Sequence, residues 1–78
     1  MTRKDGLALL ESALNEVPGS IDEGTELESL AGWDSVGMLS VMALIDANVG
    51  VILPPDRIAR SVTAGDLLNL VDDLRKAA

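Results

Sequence analysis

The sequence predicts an all-α fold: a small bundle of three main helices plus one short helix, with a long loop between the first and second helices. Three observations carry this. The chain has 78 residues, which is room for one core and one domain spanning residues 1–78. Its apolar residues are Leu, Val, Ala, Ile and Met, with one Trp and no Phe or Tyr, a composition that suits aliphatic helix packing better than a sheet. These residues recur at helical spacing in segments punctuated by Pro and Gly.

The first helix is expected from about Arg3 to Val17. Leu7, Leu10 and Leu14 form its apolar stripe, and Asp5, Glu11 and Glu16 fall on the other faces. Pro18-Gly19 supplies the stop. From Ser20 to Gly32 only Ile21, Leu27 and Leu30 can anchor the chain among acidic and small residues. This stretch reads as a long ordered loop with room for a short helical turn, and loops of that length are more often functional than idle.

The second helix is expected to begin at Asp34 or Ser35, both good capping residues, and to run to about Asn48 with Gly50 ending it. It is apolar nearly all round. Val36, Leu39 and Ala43 share one face, while Met38, Val41, Met42 and Ile45 cover the others, so one face has to be buried and another has to meet a partner. Gly37 costs such a helix about 1 kcal/mol relative to Ala, and is either tolerated or useful for the close approach of a partner or of a group attached to the helix.

Pro54-Pro55 imposes an extended approach to a short helix that starts at Asp56, covers Arg57 to Arg60 and anchors through Ile58. The last helix has the clearest signals. Thr63 caps it with Asp66 three residues on, Leu67, Leu68, Leu70, Val71 and Leu74 supply the stripe, and Arg75-Lys76 sit at the negative end of its dipole.

Thirteen acidic against six basic residues give a formal charge of −7, which disfavours nucleic acid and anionic membranes as partners and favours basic protein surfaces. There is no Cys and no His, so thiolate chemistry, disulfides, Cys-type zinc sites and the usual general base are all excluded. With no glycine-rich phosphate loop and no paired-carboxylate motif, the sequence does not read as an enzyme. The longest apolar run, Val41 to Ile45, falls far short of the ~20 residues of a membrane span. A soluble cytoplasmic monomer is the expectation.

Ser35 stands at the start of the second helix, where unpaired backbone N–H groups and the positive end of the dipole favour an attached phosphate. Asp34-Ser35 alone is equally consistent with an ordinary helix cap. The surrounding residues add to it. The run Leu27-Glu28-Ser29-Leu30-Ala31-Gly32-Trp33-Asp34-Ser35-Val36, followed by Leu39 to Asp46, Gly50, Leu53-Pro54, Ile58 and Thr63, resembles the modification region of acyl carrier proteins over nearly the whole chain.

The resemblance implies that a separate phosphopantetheinyl transferase uses coenzyme A to attach 4′-phosphopantetheine at Ser35, with Asp34 as the flanking motif residue. The terminal thiol of that arm would carry acyl groups as thioesters. Trp33, Val36, Leu39 and Ala43 would contact partner enzymes, and Trp33 has the alternative of packing its ring over the bundle. Partners of the implied kind are an acyl ligase, an acyltransferase or a ketosynthase.

Fatty-acid carriers typically bear acidic residues just after the serine, where this chain has Gly37, Ser40, Ala47 and Asn48. A specialised polyketide or fatty-acyl pathway is therefore expected, with apolar contact dominating docking. The acidic residues lie instead at Asp22, Glu23, Glu26 and Glu28, in a loop that either recognises partners or is simply solvated. The alternatives are an aminoacyl or peptidyl carrier, and an unmodified helical adaptor that uses Ser35 only as a cap.

Overall fold

The computed structural model describes residues 2–77 and places four helices in the order α1 (Arg3–Leu14), α2 (Ser35–Val49), α3 (Pro55–Arg60) and α4 (Ala64–Ala77). No strand forms among the described residues, only an antiparallel bridge between Glu26 and Thr63. A short 3-10 turn, Leu27–Ser29, interrupts the long first loop.

Helix α1 starts with a capping box that the sequence reading missed. The Thr2 hydroxyl accepts from the Asp5 N–H at 3.1 Å and the Asp5 carboxylate accepts from the Thr2 N–H at 3.3 Å. The helix ends at Leu14, three residues before the expected stop. Asn15 adopts the left-handed conformation, φ 56°, and its N–H donates back to the Glu11 and Ser12 carbonyls. Asn tolerates this conformation better than most residues, so it terminates the helix before Pro18 can.

Helices α1 and α2 run antiparallel. Leu14, at the end of α1, lies beside Gly37 at the start of α2, whereas Asp5 and Leu9 share a groove with Asn48 and Val49 at the far end of α2. Gly50 closes α2 in the left-handed conformation, φ 77°, with its N–H donating to the Asp46 carbonyl. Helix α3 begins one residue earlier than expected, because Pro55 occupies the first helical turn, where its missing N–H costs nothing. Thr63 and Asp66 cap α4 reciprocally at 3.1 Å each.

The core is a single aliphatic cluster. Leu10 and Leu14 from α1, Ile21 and Leu27 from the loop, Val41 and Ile45 from α2, Ile58 from α3, and Leu67, Leu68 and Val71 from α4 are all buried. Leu7 and Leu30, expected as full anchors, are only partly buried against it.

Glu11 corrects the expected outer face of α1, being 6% exposed. Its carboxylate accepts the Ile21 N–H at 3.0 Å, which gives a buried loop amide an acceptor that the loop itself does not supply. The loop therefore leaves α1 and runs back along it. At Glu23 it meets Arg3, whose guanidinium donates to Glu23 at 2.6 Å, to Asp72 at 2.9 Å and to the Gly65 carbonyl at 3.2 Å. The chain then returns past α4, where Ala64 N–H donates to the Thr25 carbonyl and Leu27 N–H to the Val62 carbonyl, both at 2.9 Å.

Candidate functional site

The returning loop delivers Trp33 and Asp34 to the start of α2. Asp34 takes extended backbone angles and its Oδ1 accepts from the Gly37 N–H at 2.8 Å. Asp34 is thus the cap, and Ser35 is the first residue of the helix proper. No hydrogen bond among the described residues engages the Ser35 hydroxyl, and the residue is exposed. A serine serving only as a cap would have this hydroxyl turned onto a first-turn N–H. Here that work is done by its neighbour.

The N–H groups of Ser35 and Val36 lie too early in α2 to find acceptors within the helix. An anion on the Ser35 oxygen therefore sits at the positive end of the helix dipole. The hydroxyl also opens onto a groove of about 230 Å³ between α2 and α3, lined by Ser35, Met38, Leu39, Met42, Pro55 and Ile58. Apart from the serine every one of these side chains is apolar, so the groove favours an apolar chain over a charged one.

Val36 and Leu39, 72% and 63% exposed, together with Ala43, continue from Ser35 along the outer face of α2. Trp33 is half-buried and packs against the core cluster. The structure thus gathers Asp34, Ser35, Val36, Leu39 and Ala43 on one helix, with Trp33 beneath its entry.

Sequence reasoning missed the groove-lining Met38, Met42, Pro55 and Ile58. The signal was present: Met38 and Met42 are one helical turn apart and flank the core stripe of Val41 and Ile45, against which they pack only in part.

Two of the four acidic residues of the loop are engaged within the bundle, while Glu26 and Glu28 are exposed. Glu23 is engaged by Arg3, and the Asp22 Oδ1 accepts from the Gly24 N–H and the Thr25 hydroxyl. Because Arg3 begins α1 and Leu14 ends it beside α2, that knot lies at the opposite end of the bundle from Ser35. Among the described residues no group of His, Cys, Asp and Glu is placed to hold a metal ion. No helix of the described residues is long and apolar enough to cross a membrane.

The family model described as "Phosphopantetheine attachment site" matches residues 7–71, which include the whole α2 segment and its groove. The chain belongs to this carrier protein family. A solved structure of holo acyl carrier protein from Geobacter metallireducens superposes with a TM-score of 0.78 at 15% identity, covering 99% of this chain and 90% of that one. That likeness shows the shared fold. No curated protein matches the sequence.

Membership makes the chain a carrier protein whose cofactor is covalently attached 4′-phosphopantetheine. Carriers of this family are not themselves enzymes; separate enzymes modify them. The residues at the start of α2 fit the group: an unengaged hydroxyl, free amides for its phosphate and an apolar groove alongside.

Proposed function

We propose that Ser35 is the residue that carries 4′-phosphopantetheine, and that the chain holds acyl intermediates as thioesters on that arm for a specialised polyketide or fatty-acyl pathway. The observation that carries this reading is the division of labour at the start of α2. Asp34 caps the helix and leaves the exposed Ser35 hydroxyl free at the mouth of an apolar groove.

In the modification, the Ser35 oxygen bonds to the phosphorus that bears the pantetheine of coenzyme A. The P–O bond to adenosine 3′,5′-bisphosphate breaks and the serine proton is lost. The cofactor then supplies the thiol that the cysteine-free chain lacks. The chain's own residues hold the phosphodiester at the helix terminus and present Val36, Leu39 and Ala43 to partners. Tethering raises the effective concentration of the acyl group at each enzyme that docks.

A specialised pathway is supported by the charge pattern of α2, whose single ionisable residue is Asp46. Docking around Ser35 then rests on apolar contact more than on steering. The proposed partners are a phosphopantetheinyl transferase and an acyl ligase, acyltransferase or ketosynthase. The proposed setting is the cytoplasm, where coenzyme A is at hand.

The test is the intact mass of the protein after incubation with coenzyme A and a broad-specificity phosphopantetheinyl transferase. One phosphopantetheine should be added to the wild type and none to Ser35→Ala. Addition to Ser35→Ala would move the attachment elsewhere, and a folded wild type that gains no mass would overturn the reading.

A further inference from the structure

Two grooves border the start of α2, on opposite flanks of the helix. The one toward α3 is apolar throughout, apart from Ser35 itself. The other, toward α1, has a volume of about 220 Å³ and is mixed in character. Ala13, Leu14 and Val36 give it apolar walls, while Asn15, Asp34 and Ser40 bring polar groups to it. These polar groups have hydrogen-bonding capacity in reserve. The hydroxyls of Ser20, Ser29 and Ser61 each donate to a nearby carbonyl of their own turn, and the Asn48 carboxamide does the same. Among the described residues no hydrogen bond engages the Ser40 hydroxyl or the Asn15 carboxamide, and the Asp34 carboxylate is engaged only through Oδ1.

We propose that the α1–α2 groove is the resting site of the pantoyl segment of the arm, the part next to the phosphate, when the arm carries no acyl group. The inference rests on Ser35 as the attachment residue. Ser35 is the first residue of α2, so a chain attached to it leaves from the end of the helix and has both flanks within reach. The pantoyl segment bears two methyls on one carbon, a hydroxyl and an amide, and it needs apolar contact and hydrogen-bond partners within a few atoms of each other. The groove toward α1 supplies both, beginning at Asp34 and Val36 on either side of Ser35. Its apolar walls suit the methyls. The Asp34 carboxylate is the acceptor for the pantoyl hydroxyl, and the Asn15 carboxamide and Ser40 hydroxyl are partners for the amide. The groove toward α3 offers that hydroxyl and amide nothing, and burying them unpaired is unfavourable. An apolar acyl chain has the opposite preference. The two flanks of α2 therefore sort the arm from its cargo.

The test compares NMR spectra of the apo protein and of the protein modified with coenzyme A and a broad-specificity phosphopantetheinyl transferase, attachment first being read by intact mass. Residues 34–37 are left out of the comparison, because a new phosphodiester shifts them wherever the arm lies. NOEs should connect the pantoyl methyls to Ala13 and Leu14, and the side-chain amide signals of Asn15 should shift between the two forms. Asn15→Gly combined with Ser40→Ala removes both partners of the amide. Glycine suits the left-handed cap at position 15 and alanine suits the helix at position 40, so this variant should keep the dispersed spectrum of the folded protein and lose the NOEs. NOEs from the methyls to Met38, Met42 or Ile58 in their place, NOEs to Ala13 and Leu14 that persist undiminished in the variant, or a modified wild type whose arm shows no NOE to the protein each overturn the resting site while leaving Ser35 as the attachment residue. A folded wild type that gains no mass overturns both.

Discussion

The backbone carbonyl oxygen of Gly32 rests directly on the α-carbon of Gly37, so closely that a β-carbon built on Gly37 collides with it and also meets Leu14 Cδ2 at 2.9 Å. The sequence left open whether this glycine inside the helix was tolerated or needed for an approach. It is needed, and the approaching group is the chain's own loop. The contact sets how Trp33 and Asp34 enter α2, and so where the Ser35 hydroxyl points.

Gly37→Ala should therefore destabilise the protein even though alanine is the better helix former. The propensity gain is about 1 kcal/mol, while overpacking against backbone costs about 1–3 kcal/mol, and a carbonyl in a capped loop has little freedom to yield. Denaturant unfolding should show a net loss of up to about 2 kcal/mol. The variant should also be modified more slowly than wild type at a temperature where both are folded.

Glu11 offers a second test of how the loop is held. Removing its carboxylate in Glu11→Ala leaves the buried Ile21 N–H without an acceptor, at a cost of about 1–3 kcal/mol. Glu11→Gln keeps an acceptor oxygen of the same reach and should recover most of that loss. Chemical denaturation of the two variants side by side measures the difference, and equal losses would show that the hydrogen bond is not what matters.

The knot at Arg3 makes stability depend on pH in a definite direction. Its hydrogen bond to Glu23 holds that carboxyl below the usual carboxylate range. A carboxyl whose folded pKa is depressed stabilises the fold above its unfolded value, about 4.3, and loses that contribution as pH falls through the folded value. Thermal melts of wild type and Glu23→Gln should accordingly differ at neutral pH and converge as pH falls from about 4.3 through the lower folded value. Convergence on raising the pH instead would reverse the assignment. Asp66, lowered chiefly by hydrogen bonds from the Thr63 and Val62 backbone, shifts in the same sense, but it is common to both proteins and cancels in the comparison.

These cases mark what was legible in the sequence. Helix spacing and Pro–Gly punctuation expressed the helix order, the buried loop anchors Ile21 and Leu27, and the place of Ser35 at the start of α2, because those are one-dimensional properties of the chain. What stayed hidden depended on contacts between distant segments. Glu11 was placed on an outer face because periodicity on a helix cannot show that a loop folds back to use its carboxylate. The early end of α1 was missed because Pro is a louder signal than the left-handed tolerance of Asn15. The groove needed α3 laid beside α2, and no spacing within either helix encodes that.

The groove itself divides into a floor and a rim that substitution separates. Ile58 is fully buried and joins the core, whereas Leu39 is 63% exposed and only borders the opening. Ile58→Ala removes packed methyl groups and should cost about 2–5 kcal/mol. Leu39→Ala leaves no internal cavity and should change stability by no more than about 0.5 kcal/mol. If the apolar walls shield a tethered chain, Leu39→Ala should hydrolyse an attached medium-length acyl thioester faster at mild alkaline pH while its unfolding midpoint stays at the wild-type value. A loss of stability in Leu39→Ala comparable to that of Ile58→Ala would instead make Leu39 part of the core, and the rim would have to be drawn elsewhere.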